Sequence, residues 1–180
     1  MRRIFIVLLL IFLSSTLIFA RPTRGIAIGA QVGPLATGVV ADFRLGPVAL
    51  SLSLGTPLMI NYILSQTGDV FEDDIGSIAP FFMVGGDFTY PIALGEHFNL
   101  KIGLSTLAGT DFEYGIIGIA GGTIKGEYWI PNKKIGIFMH MDVPVMAYIA
   151  GSEIESAAIF NWAIPILGIF TTSAGVLWGF

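Results

Sequence analysis

The chain has 180 residues, 54% of them hydrophobic and only 12% charged, with a formal charge of −4 and a mean hydropathy of +0.79. Soluble domains carry about 25% charged residues, so an ordinary water-exposed surface is excluded, and the acidic balance argues against a nucleic-acid partner. No cysteine is present, which excludes a disulfide framework, a thiolate zinc site and a cysteine nucleophile.

Residues 1–20 have the layout of a secretion signal. Arg2-Arg3 precedes the apolar run Ile4–Leu13, and Ser14-Ser15-Thr16 leads to the small Ala20 at the expected cut. Ile18 is bulky for its place before the cut, and an uncleaved N-terminal anchor is the competing reading. Residues 21–180 then form one domain.

From Gly25 onward the pattern has a period of two, the signature of strands with one apolar face. Gly25–Gly33 turns Ile26, Ile28, Ala30 and Val32 one way, and Gly33-Pro34-Leu35-Ala36 reads as a turn. Thr37–Leu45 puts Val39, Ala41, Phe43 and Leu45 on the apolar face and Asp42 and Arg44 on the other. After Gly46-Pro47 the clearest strand follows, Val48–Gly55, with Val48, Leu50, Leu52 and Leu54 opposite Ala49, Ser51 and Ser53. A fainter alternation runs on through Leu58, Ile60, Tyr62 and Leu64 into the acidic loop Ser65–Gly76. The fourth strand is expected over Ile78–Tyr90, with Asp87 inward and Pro80 near an end or a bulge.

Pro91–His97 reads as a turn, and Phe98–Ala108 as a strand with Lys101 inward. Gly109–Tyr114 is a short acidic loop carrying Asp111 and Glu113. The sixth strand runs to Ile130 with Lys125, Glu127 and Trp129 inward, and Pro131-Asn132-Lys133-Lys134 turns the chain. Ile135–Tyr148 has Phe138, His140 and Asp142 inward. Gly151–Ser156 is a third acidic loop, with Glu153 and Glu155. The last segment ends with Val176, Trp178 and Phe180 on one face, and 156–180 has room for one strand or two.

These elements predict an all-β chain, a closed antiparallel transmembrane barrel of about eight strands in up-and-down order. Helices compete, because Leu45–Gly68 and Ser156–Phe180 are uncharged and longer than the about 20 residues a membrane helix needs. Both runs contain proline, however, and the first alternates. Charged groups also come two apart, as Asp42/Arg44, Lys125/Glu127 and His140/Asp142. On a helix such pairs diverge by about 200°, whereas on a strand they share a face. A charge facing lipid at mid-membrane costs about 2–4 kcal/mol, and sheet edges cannot stay open in hydrocarbon. A soluble lipocalin-like barrel would have the opposite arrangement, apolar inside.

With both chain ends periplasmic, the outer loops hold Asp69, Glu72, Asp73, Asp74, Asp111, Glu113, Glu153 and Glu155. Arg21, Arg24, Lys133 and Lys134 fall on the inner side, near a girdle of Tyr90, Phe98, Tyr128, Trp178 and Phe180. In its signal peptide, short inner turns, longer outer loops and terminal Trp178-Gly179-Phe180, the chain resembles the small bacterial outer-membrane barrel proteins of the OmpA/OmpX type. The resemblance implies an outer-membrane location in the lipid bilayer and recognition of the C-terminal strand, through Trp178 and Phe180, by the barrel assembly machinery.

The inward ionisable set is Asp42, Arg44, Asp87, Lys101, Lys125, Glu127, His140 and Asp142. An eight-stranded barrel is filled by its own side chains, and buried charges need partners. The expectation is therefore a lumen network that plugs the barrel, in a structural, surface-interaction or adhesion-type protein. The alternative is a narrow or gated, porin-like channel for ions or small solutes. A lipid hydrolase built on His140, Asp142 and Ser51, Ser53 or Ser105 is disfavoured, because the histidine lies mid-strand inside the lumen, and no enzyme activity and no cofactor are expected. Asp69, Glu72, Asp73 and Asp74 could bind divalent cations through carboxylate oxygens, although they lack EF-hand spacing and also read as a solvated loop.

Overall fold

The computed structural model describes residues 24–58, 82–110, 115–151, 157–160 and 164–180. The signal-peptide segment 1–20, Arg21, the expected strand start at Ile78 and Pro80, and all the acidic residues of 69–74, 111–113 and 153–155 lie outside them. The strands are β1 (Arg24–Val32), β2 (Thr37–Leu45), β3 (Ala49–Thr56), β4 (Phe82–Ala93), β5 (Phe98–Thr110), β6 (Gly115–Trp129), β7 (Ile135–Gly151), β8 (Ala157–Phe160) and β9 (Ser173–Gly179). Each of β1 to β7 pairs antiparallel with the next, and β9 pairs with both β7 and β1. Eight strands, β1–β7 and β9, thus close into an antiparallel barrel in meander order. Among the described residues no helix is long and apolar enough to cross a membrane.

The period-two pattern explains the wall. In β3, Ala49 and Ser51 are buried while Leu52 and Leu54 are exposed. The same division holds on β5, where Asn99, Lys101 and Ser105 are buried and Ile102 and Leu104 exposed. The large apolar side chains thus face outward and the small or polar ones fill the interior. A compact apolar layer of Ala27, Val40, Trp129, Phe138 and Leu177 accompanies them inside.

One end of the barrel has tight turns. Leu45 N–H donates to Val48 O at 2.9 Å across Gly46-Pro47, and Gly46 takes φ 81°, as a two-residue hairpin with glycine first requires. Leu94 N–H donates to Phe98 O at 2.8 Å and Ile130 N–H to Ile135 O at 2.9 Å, which closes the next two turns. The β4 strand runs through Pro91 to Ala93, so the turn is shorter than the expected 91–97. Its proline stands opposite Lys101.

The other rim is oblique. β1, β2 and β3 have 9, 9 and 8 residues, whereas β6 and β7 have 15 and 17. β9 pairs with β7 only from Ile135↔Trp178 to His140↔Ser173. Above that point β7 shifts register: Gly121 faces Pro144 but Ala120 faces Met146. Val145 is therefore the extra residue of a bulge beside a proline that has no N–H for the ladder. The final segment holds two strands: β8 pairs with the far end of β7, at Met146↔Phe160 to Ile149↔Ala157, and only β9 closes the barrel. A 3-10 helix, Ile164–Thr171, lies between them. Its Thr171 hydroxyl accepts from Asp142 N–H at 2.9 Å and donates to Gly168 O at 2.8 Å, serving a backbone donor at the level where β7 has lost β9.

Missing side chains make room for the large ones inside. A Cβ on Gly175 would stand 2.6 Å from the Phe138 ring, and one on Gly136 2.7 Å from the Trp129 ring. Gly175→Ala should therefore destabilise the barrel by about 1–3 kcal/mol through overpacking. Gly86→Ala, whose outward Cβ meets nothing nearer than Leu52 at 3.8 Å, should leave stability unchanged or raise it. Urea unfolding followed by circular dichroism checks the pair; equal midpoints would remove the packing argument.

Candidate functional site: two polar clusters in the lumen

The first cluster ties opposite walls of the barrel together. Asp42 on β2 is brought beside Ser51 by the β2–β3 register, and Lys101 stands directly opposite Lys125 across β5–β6. Facing like charges repel, so the lysine pair needs carboxylates. Lys101 Nζ lies 2.6 Å from Asp42 Oδ2 and 2.7 Å from Glu127 Oε1. Lys125 Nζ lies 3.2 Å and 3.4 Å from the same two atoms. The Ser51 hydroxyl donates to Asp42 Oδ2 at 2.8 Å, and Trp129 Nε1–H donates to Glu127 Oε2 at 3.4 Å. The Lys125 ammonium also sits 4.5 Å from the centre of the Phe138 ring, a cation–π contact. Burial is nearly complete, with Lys101 at 1% and Glu127 at 2% exposure.

Arg44 stands apart. It points inward as expected, but it makes no ion pair with any described carboxylate, and its buried Nε has no hydrogen-bond partner. With Asp42, Lys101, Glu127 and Trp129 it lines a cavity of about 70 Å³ at the turn end.

The second cluster lies nearer the oblique rim. The β6–β7 register sets Thr123 opposite Asp142 and Lys125 opposite His140, and β4 brings Asp87 across from Ser105 on β5. His140 Nε2 is 2.8 Å from Thr123 Oγ1, 3.1 Å from Asp142 Oδ1 and 3.6 Å from Asp87 Oδ2. Its Nδ1 is 3.5 Å from Ser173 Oγ. A hydrolase needs the nucleophile on one ring nitrogen and the orienting carboxylate on the other. Here the hydroxyl and both carboxylates crowd Nε2, so the arrangement is not that of a relay. Ser51 is bound to Asp42, and Ser105 donates to Gly122 O at 3.3 Å. His97 lies in a turn at the opposite end, 4.0 Å from Glu96.

The eight inward residues are thus all on the inner face, divided into a four-membered tie, a three-membered acid–histidine cluster and Arg44, which lines the tie's cavity within reach of the charges of Glu127 and Asp42. The loop candidates Asp69, Glu72, Asp73 and Asp74 lie outside the described residues. Trp178 and Phe180 are exposed on the outer wall at the turn end. Sequence reasoning missed Thr123, Ser173 and Thr171. Thr123 shares a phase with Lys125 and was within reach of the pattern; Ser173 and Thr171 meet β7 only because the sheet closes.

Lys101→Met, which leaves Asp42 and Glu127 to share the single cation of Lys125, should cost up to about 3–5 kcal/mol. Lys133→Met in the exposed turn should cost less than about 0.5 kcal/mol. Urea midpoints measure both, and equal shifts would show that the tie carries no stability. No family model, curated protein or solved structure matches this chain.

Proposed function

We propose that this protein is a bacterial outer-membrane β-barrel whose lumen is closed by its own charged side chains. It serves the envelope as a structural or surface-binding element rather than as an open pore. The observation that carries this reading is the division of side chains between the two faces. Large apolar groups line the outside, with Ile28 at 50%, Leu104 at 68% and Met139 at 66% exposure. The ionisable groups of β2, β4, β5, β6 and β7 turn inward. Soluble monomers rarely expose apolar patches beyond about 300–600 Å², whereas a wall in lipid needs this arrangement all round.

Three further features support it. The shorter barrel strands, of 7 to 9 residues, approach the about 9–11 residues a tilted transmembrane strand needs. Tyr90, Phe98, Tyr128, Trp178 and Phe180 are all exposed toward the turn end, as an interfacial girdle would be. The outward Thr106 hydroxyl finds partners within the wall, Ile119 O at 3.2 Å and Tyr148 Oη at 3.0 Å, which hydrocarbon surroundings demand. The closed lumen rests on the cross-barrel tie and on the small size of two cavities lined by the described inward residues, about 70 Å³ and about 10 Å³. The barrel assembly machinery, reached through the C-terminal strand, is part of the same proposal, as is export by residues 1–20.

Leu104→Arg tests the membrane setting. In lipid vesicles it should lower folding stability by about 2–4 kcal/mol, while on a water-facing wall it would be neutral. Full-length protein inserted in planar bilayers should be electrically silent, and defined conductance steps would replace the closed barrel with a gated channel.

A further inference from the structure

The geometry points to a binding site for a first-row divalent metal ion in the lumen, formed by Asp87, His140 and Asp142 with Thr123 beside them. One ligand atom from each of the three residues lies within 4.8 Å of the other two. Around His140 Nε2 the carboxylate oxygens stand at 3.1 Å and 3.6 Å. Neighbouring ligands of a tetrahedral ion with bonds of about 2.0–2.1 Å are about 3.3 Å apart, so small side-chain movements complete the shell.

Hydrogen bonding by itself does not satisfy this cluster. An imidazole nitrogen carries one proton or one lone pair, yet three oxygens converge on Nε2. The closest, Thr123 Oγ1 at 2.8 Å, takes that capacity. Asp142 is 5% exposed, and its Oδ1 faces Nε2 at 3.1 Å off the hydrogen-bond direction, with the Ser105 and Thr123 hydroxyls also approaching its carboxylate. A cation held between these atoms would serve all of them together.

Charge balance agrees. The neighbouring tie sets two lysines against Asp42 and Glu127, whereas here two carboxylates have only a histidine in direct contact, with Lys125 attracting Asp87 from further off. A divalent ion with neutral His140 cancels both charges, while a protonated histidine cancels one. The mixed donor set selects a first-row ion such as Zn²⁺ or Mn²⁺, because Ca²⁺ and Mg²⁺ favour all-oxygen shells. Ser173 Oγ, 3.5 Å from Nδ1, is placed to accept the ring's other N–H, the outer-shell contact that orients a metal-bound histidine. Side-chain exposures of 13% for His140 and 15% for Asp87 face the cavity of about 10 Å³ beside them. This site differs from the acidic loop 69–74 and does not depend on the barrel standing in a membrane.

The test uses full-length protein refolded in detergent, stripped with chelator and titrated with Zn²⁺, then with Co²⁺ as a spectroscopic probe. One Zn²⁺ per chain is expected, with Co²⁺ absorption bands of a nitrogen–oxygen shell. Asp142→Asn and His140→Gln should each weaken binding by about 100-fold or more, whereas joint Asp69→Asn and Asp73→Asn should leave it intact. Thr123→Val keeps every charge and should retain a full equivalent of Zn²⁺ with an altered Co²⁺ spectrum. Folded wild type that binds no Zn²⁺ would overturn the site and leave a protonated His140 between the carboxylates. Binding that survives His140→Gln, or disappears with the loop changes, would overturn it equally.

Discussion

Lys101 is the centre on which the interior depends. Its ammonium stands between Asp42, from β2, and Glu127, from β6, with almost no exposure to water. An ion pair removed from solvent gains only if its geometry is good and its remaining hydrogen-bonding capacity is used. Ser51 serves the Asp42 carboxylate and Trp129 the Glu127 Oε2, while Glu127 Oε1 is held by the charge of the two lysines alone. The tie holds together walls that are not neighbours in the sheet, which backbone pairing by itself cannot do. Phe138 and Trp129 fit beneath it because Gly175 and Gly136 present no side chain.

Moving toward the oblique rim, the physical character of the interior changes. Cations give way to hydroxyls and carboxylates, and the wall departs from a simple ladder. β7 outruns β9, bulges at Val145 and turns back through β8. The 3-10 helix takes over where pairing stops, with the Thr171 side chain accepting the Asp142 N–H. The same residue therefore has its backbone anchored by the helix and its carboxylate aimed at His140. Irregular backbone beside converging polar groups is a common setting for a binding site, because bulges re-aim side chains.

Much of this was readable before any coordinates. Strand positions from β1 to β3 and the inward facing of the charged residues and His140 on the described strands follow from alternation, since a one-residue slip would turn the apolar set to the wrong face. The turn at Gly46-Pro47 follows from the backbone freedom of glycine. Strand ends were harder to read: β4 continues through Pro91, and β5 and β7 extend past Ala108 and Tyr148, because pairing across the wall outlasts the local pattern. The split of the last 25 residues into β8, a 3-10 helix and β9 was not legible, since an uncharged apolar stretch suits any of the three.

Alternation groups the inward set as one network, whereas the folded barrel divides it by height. Phase along a strand says which face a side chain occupies but nothing of its height or of what stands across the lumen. Those depend on strand tilt and on how the sheet closes, which are properties of all eight strands together. The sequence by itself determined the class of fold, its two-faced wall and which charged residues face inward, because these depend on period-two chemistry within each strand. Only the tertiary structure decided that Asp42 meets Lys101 and that Asp87, His140 and Asp142 converge, because residues from non-adjacent strands become neighbours only when the barrel shuts.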